Sequence, residues 1–142
     1  MLKSLFRSVL SLFVFLYQRT NGAIGGKMQG LPVLLLTTTG RVTGKKRVSP
    51  LGYLEHDGQY VVTASNAGFD HHPGWYHNLT SNPRVTLRLR DQEFAAVAER
   101  AGPALRQRLW DTFVERAPGY GAYPKRTRRE IPVILLRPVS PA

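Results

Sequence analysis

The chain has 142 residues, enough for one domain with a real core. It contains no cysteine, which excludes disulfides, thiolate nucleophiles and cysteine-bound metals. Lysine and arginine exceed the acidic residues so far that the formal charge is +11, and the partner this implies is anionic: nucleic acid, an acidic membrane surface or a polyanionic small molecule.

Residues 1–20, MLKSLFRSVLSLFVFLYQRT, place Leu2, Leu5, Phe6, Val9, Leu10, Phe13, Leu16 and Tyr17 at helical spacing. Lys3, Ser4, Arg7, Ser8 and Ser11 form the opposite stripe, and Val14 and Phe15 break it. The apolar run is too short to cross a bilayer. A secretory signal would need a small-residue cleavage site, and the run ends instead in Tyr17-Gln18-Arg19. Two readings remain: an amphipathic helix on an anionic membrane, or a helix packed on its own domain or on a dimer partner. Residues 21–30 read as a glycine-rich connector with little structure.

Pro32 to Thr37 reads as a buried strand, Arg47 to His56 as a second and Gln59 to Ser65 as a third. Asp57-Gly58 marks a tight hairpin turn between the last two, and Pro50 and Gly52 predict a kink in the second. A short helix begins near Pro73 and stops at Asn82-Pro83. Arg84 to Arg90 alternates cleanly, with Val85, Leu87 and Leu89 on one face. Its arginines, Arg84, Arg88 and Arg90, read as an exposed face open to an anionic tail or lipid phosphates. Gln92 to Glu99 is a fifth strand. Pro103 opens a helix in which Leu105, Leu109 and Phe113 share a side. An irregular loop, Ala117 to Arg129, leads to a last strand from Ile131 to Arg137. The chain is therefore expected to be mainly β with flanking helices (α+β): about six antiparallel strands closed into a small barrel, which removes exposed edges.

Thr37 to Arg47, TTTGRVTGKKR, concentrates hydroxyls, two glycines and four cations at the end of the first strand. Backbone amides and guanidinium forks of this kind grip phosphate oxygens, and a solvated basic turn has the same composition. The spacing matches no Walker loop, and no GxGxxG is present. His71, His72 and His77 invite a metal, but adjacent histidines diverge on an extended chain and no third ligand pattern follows, so no metal is expected. Asn78-Leu-Thr80 spells a glycosylation sequon with nothing else to indicate secretion.

Three blocks, LLLTTTGRVTGKKRVSPLGYL, VVTASNAGFDHHPGWYHNLTSNPRVTL and PGYGAYPKRTRREIPVILL, resemble the deazaflavin-dependent nitroreductase family across Pro32 to Pro138. Members are split β-barrel oxidoreductases that use reduced coenzyme F420, chiefly in actinobacteria. Residues 1–20 are expected to form an N-terminal amphipathic helix from their spacing, and residues 21–142 a single split β-barrel that, as the resemblance implies, binds the deazaflavin. It implies that Arg41, Val42, Thr43 and Arg47 hold the cofactor's phosphate and glutamate tail. Val42 stands where a lysine is usual, with Lys45 or Lys46 as a substitute. Thr63, Ala64, Ser65 and Asn66 match a second cofactor-contacting stretch, and Gly74, Trp75, Tyr76, His77 and Asn78 a third. Tyr120 matches a tyrosine between cofactor and substrate, and Tyr123 a substrate-pocket neighbour. Ala117 and Gly52 stand where some members carry further tyrosines, which implies a roomier pocket.

A deazaflavin delivers hydride, and the protein supplies position and field. The expected reaction is hydride transfer from F420 to a quinone, a nitro compound or an activated alkene. Tyr120, Ser65 or water would furnish the proton or hold the acceptor's oxygen. A lipid-soluble quinone and an anionic membrane surface are the matching partners, placing the protein in the cytoplasm or on the inner face of the membrane. Two alternatives are a flavin mononucleotide enzyme of the same barrel class and a basic nucleic-acid-binding module. The second expects aromatics among the cations of one sheet face, and the alternating strand has none, so no nucleic acid is expected.

Overall fold

The apolar run after Gly30 becomes β2 (Leu31–Thr39), the strand on which the barrel is assembled in this computed structural model, which describes residues 2–139. One edge of β2 pairs with β3 (Lys46–Gly52), from Val33 opposite Gly52 to Thr39 opposite Lys46. Its other edge pairs with β6 (Arg84–Leu89), with Leu36 opposite Leu87. From β6 the antiparallel ladder continues through β7 (Gln92–Arg100), β8 (Val133–Pro138) and β5 (Gln59–Thr63) to β4 (Leu54–His56). Only Tyr53 separates β3 from β4. One continuous stretch therefore serves β2 with its first half and β5 with its second, and this closes the circuit. The result is the expected split barrel, with eight antiparallel strands instead of about six, because the expected second strand is divided at Tyr53 and a two-residue strand is added before β2.

The break at Tyr53 is the kink expected from Pro50 and Gly52, displaced by one residue beyond the glycine. Residues 21–30 are more ordered than expected. A two-residue strand, β1 (Lys27–Met28), folds back on the start of β2 through Gln29-Gly30, both left-handed with φ of 52° and 81°. Asp57-Gly58 makes the same kind of turn between β4 and β5, with φ of 49° and 75°.

Alternate residues of the strands face two layers. Leu34, Leu36, Val62, Val85, Leu87, Ala96, Ile134 and Leu136 fill the barrel interior, and Trp75 and Leu79 of α2 (Gly74–Ser81) plug it. Val61, Val133 and Leu135 face outward instead, under Leu109, Trp110 and Phe113 of α3 (Pro103–Arg116). β2 is buried on both faces because the outward Val33 and Leu35 lie under Tyr17 of α1 (Leu2–Thr20). A strand covered on both sides reads as an unbroken apolar run.

Tyr17 is fully buried and fastens α1: its hydroxyl donates to the Val33 carbonyl at 2.9 Å and accepts from the Arg90 amide at 2.8 Å. Arg88 donates to the Gln18 carbonyl and the Asn21 side chain, and Arg90 to the Gly22 carbonyl at 2.6 Å. These two arginines thus close the C-terminal end of α1, where a helix leaves carbonyls unpaired and favours cations. Of the exposed basic face expected of their strand, Arg84 and Arg90 are exposed and Arg88 is half-buried, and two of the three are engaged with the end of α1. The apolar stripe expected along α1 divides as well. Tyr17 is covered, whereas Leu5 and Val9 of the stripe, and Leu12 and Phe15 beside it, are each more than half exposed. The expected placements of the Leu2, Lys3, Ser4, Phe6 and Arg7 side chains lie outside the described residues.

Candidate active site

The β2–β3 connection, residues 40–45, is a shaped loop. The Gly40 amide donates to the Lys45 carbonyl and the Gly44 amide to the Gly40 carbonyl, both at 2.8 Å. Gly44 is left-handed, with φ of 74°, which a side chain would strain. The Thr43 hydroxyl accepts from the Lys45 amide, and the Lys46 ammonium donates to the Thr39 hydroxyl at 3.0 Å. Asn78 ties this loop to α2. Its buried side-chain carbonyl accepts from both the amide and the guanidinium of Arg41, each at 3.2 Å, and its NH2 donates to the buried Thr38 hydroxyl at 3.1 Å.

Between this loop, β3, the start of α2 and the flank of α1 runs a groove of about 740 Å³. Arg41, Thr43, Lys46 and Arg47 stand on one side, Gly74, Trp75 and Asn78 at the floor, and Ser11, Val14, Phe15 and Gln18 of α1 opposite. Among the described residues, no carboxylate lines it. The first turn of α2 has no side-chain cap; its Tyr76 amide is taken by the Pro73 carbonyl, and the Gly74 and Trp75 amides stand at the positive end of the helix. Cations, free amides and threonine hydroxyls form a donor set for phosphate or carboxylate oxygens.

Of the residues singled out from the sequence, the structure brings Arg41, Val42, Thr43, Arg47, Gly74, Trp75 and Asn78 together around this groove. Lys46 joins them and Lys45 does not. Tyr76 and His77 lie outside the lining; Tyr76 packs on the His72 ring, 4.5 Å between centroids, and accepts from Arg100. Thr63, Ala64, Ser65 and Asn66 also lie outside it, at the end of β5. The Thr63 and Ser65 hydroxyls are buried and paired at 2.5 Å.

Tyr120 and Tyr123 stand apart from the groove, 5.3 Å from each other between ring centroids. Tyr120 is stacked on Phe113 in the α3 layer, and its hydroxyl reaches Gly52, where a side-chain carbon would come within 3.1 Å of it. That hydroxyl and Leu31 take up the room expected at Gly52, and Ala117 is itself buried in the same layer. Burial, reinforced by Tyr123, pushes the Tyr120 phenol up to about 12. It is a neutral hydrogen-bond donor across the physiological range. Gly52 lies five residues beyond Arg47 on β3, about 17 Å at strand rise. The Tyr123 hydroxyl accepts from Gln29 at 2.8 Å.

Sequence reasoning missed the α1 wall and the part played by Arg129. The guanidinium of Arg129 donates to the carbonyls of Ala64, Ser65 and Phe69 and to His72 Nδ1. Burial first, then the charge of Arg129, holds His72 below the ordinary imidazole value. Among the described residues, no three His, Cys, Asp or Glu side chains converge on a point that would hold a metal ion.

The fold is a split barrel whose β2–β3 hairpin ends in a cationic groove with no carboxylate among the described lining residues, a donor set suited to an anionic ligand. The family model described as F420H(2)-dependent quinone reductase matches residues 10–138, and the chain belongs to this family. It is an oxidoreductase that uses coenzyme F420, whose acidic tail the donor set of the groove fits. The F420H(2)-dependent quinone reductase Rv1261c of Mycobacterium tuberculosis is 39% identical over 132 residues, covering 90% of this chain and 89% of that protein. A solved F420-H2 dependent reductase, FDR-A, is 37% identical with a TM-score of 0.68, covering 75% of this chain and 94% of its own. A second solved structure, described as a domain-swapped dimer, is 32% identical with a TM-score of 0.70 and covers 93% of this chain and 98% of its own.

Proposed function

We propose that this protein reduces quinones with F420H2, holding the cofactor's charged end in the basic groove and the acceptor near Tyr120. The observation that carries the reading is the groove rim, where Arg41, Lys46 and Arg47 gather without a carboxylate. Arg41, Thr43 and Arg47 hold phosphate and tail oxygens, with Lys46 in place of the cation missing at Val42. Trp75 and Asn78 form the floor, and residues 63–66 steady the ring end. The bound deazaflavin supplies a hydride, and a quinone that takes it up together with one proton becomes the hydroquinone. Tyr120, neutral and a donor, orients the quinone oxygen on which charge develops. The Ser65 hydroxyl, already paired with Thr63, relays or holds that proton. Nitro compounds and activated alkenes are reduced by the same hydride wherever they fit the same space. Residues 21–142 form the cofactor-binding barrel, and α1 supplies one wall of its groove.

The exposed Leu5, Val9, Leu12 and Phe15 on α1, in a chain of charge +11, favour docking of this helix on an anionic bilayer. A lipid-soluble quinone then meets the enzyme where it dissolves. No helix of the described residues is long and apolar enough to cross a membrane.

The test is anaerobic mixing of the protein with F420H2 and a panel of quinones, nitroaromatics and enones, following the return of the oxidised cofactor's absorbance. Quinones should turn over fastest. Replacing Arg41 and Arg47 together by alanine should weaken F420 binding by more than about a hundredfold, since each charge-assisted bond contributes about 1.5–3 kcal/mol. Unchanged affinity in isothermal titration would remove the groove from the account.

A further inference from the structure

The segment from Ala64 to His72 joins β5 to α2, and its own residues hold it poorly. Asn66, Ala67 and Gly68 are left-handed in succession, with φ of 48°, 52° and 81°. Two of them carry side chains and are strained there. Within the segment, the Gly68 amide donates to the Ser65 carbonyl, the Phe69 amide to the Asn66 carbonyl, and the Asn66 side chain to the His71 carbonyl. The remaining bonds come from far along the chain. Arg129 Nη2 donates to the Ser65 carbonyl at 2.7 Å, Nη1 to the Ala64 carbonyl at 3.0 Å, and Nε to the Phe69 carbonyl at 3.0 Å. Nη1 also meets His72 Nδ1 at 3.0 Å. A guanidinium only donates, so this nitrogen accepts and the imidazole proton sits on Nε2. Arg126 adds a longer bond to the Ala67 carbonyl, and its stem packs where any side chain at Gly68 would collide.

We propose that Arg129 is the positioning residue of the cofactor site. One planar fork holds the chain on both sides of the left-handed turn. It fixes the Ala64 and Ser65 backbone at one end and the approach to α2 at the other. It also ties both to the segment that carries Tyr120 and Tyr123. Lysine cannot replace it, because one ammonium cannot reach three separated carbonyls and a ring nitrogen in fixed directions. The inference rests on the reading that residues 63–66 contact F420, and its test separates the two.

The experiment compares wild type, Arg129→Gln and Arg129→Lys by amide hydrogen exchange, F420 titration and steady-state kinetics. Exchange in residues 64–72 should quicken by about tenfold or more in both variants, with barrel amides unchanged. F420 should bind about tenfold or more weakly. Arg129→Lys keeps the charge and serves if the glutamine variant does not fold. Unaltered exchange in 64–72 overturns the proposal. So does faster exchange with unchanged F420 affinity, or a fall in saturated turnover with F420 affinity intact. In wild type, F420 should protect the amides of residues 63–66; absence of that protection would instead discard the reading of the site on which the proposal stands.

Discussion

Asn78→Ala tests how the basic loop is held. The buried amide makes three hydrogen bonds, two to Arg41 and one to Thr38, at 3.1–3.2 Å. These lengths are at the long end of the normal range, so each contributes about 1 kcal/mol. The Thr38 share cannot be recovered from solvent, because that residue is 1% exposed. Arg41 is exposed and turns to water once released. Global stability should therefore fall by about 1–2 kcal/mol, roughly 3–6 °C in melting temperature for a domain of this size. The remainder should appear as weaker F420 binding, about tenfold, because the loop must be ordered when the cofactor arrives. Scanning calorimetry and isothermal titration read the two parts. A double-mutant cycle with Arg41→Ala isolates the pair and should give a coupling of about 1 kcal/mol in F420 binding. Strictly additive binding energies would refute the idea that Asn78 acts through Arg41.

The phenol of Tyr120 predicts an alkaline limb. Its folded value of about 12 exceeds the ordinary 10.0, so the unfolded chain loses this proton first. The stability contributed is complete below pH 10 and disappears as pH rises from 10 to 12, by up to about 3 kcal/mol. Tyr120→Phe should flatten that decline in urea titrations, and parallel profiles would count against it. Leu5, Val9 and Leu12 changed together to glutamine should release the protein from anionic vesicles in co-sedimentation. Melting should barely move, because Tyr17 still fastens the helix; equal sedimentation of the two forms would exclude α1 as the docking face.

Where local pattern carries the information, the sequence was readable. The strict alternation of Arg84 to Arg90 gave β6, Asp57-Gly58 gave the β4–β5 hairpin, and Pro103 with Leu105, Leu109 and Phe113 gave α3. What escaped depends on contacts between distant residues. β1 is two residues long, too short for any periodicity. Leu5 and Tyr17 both belong to the apolar set of the first helix, yet the barrel covers the side of α1 that holds Tyr17 and leaves Leu5, Val9, Leu12 and Phe15 outside. Asn78 spelled a sequon, while its amide is buried against Arg41 and Thr38. Arg129 lies in a basic run that reads as solvated, and its partners are 57 to 65 residues away. The motif blocks located the loop and the floor of the groove. The α1 wall carries no motif, only an apolar flank.

Arg47 and Gly52 belong to one strand, paired to β2 along its whole length. The basic rim, proposed to hold phosphate, and the surface facing the Tyr120 hydroxyl are thus two marks on a stiff rod with no hinge between them. Such a rod works as a gauge. A hydride carrier whose charged terminus and reactive ring match its span is seated at both ends, and a shorter or longer one can satisfy only one of them.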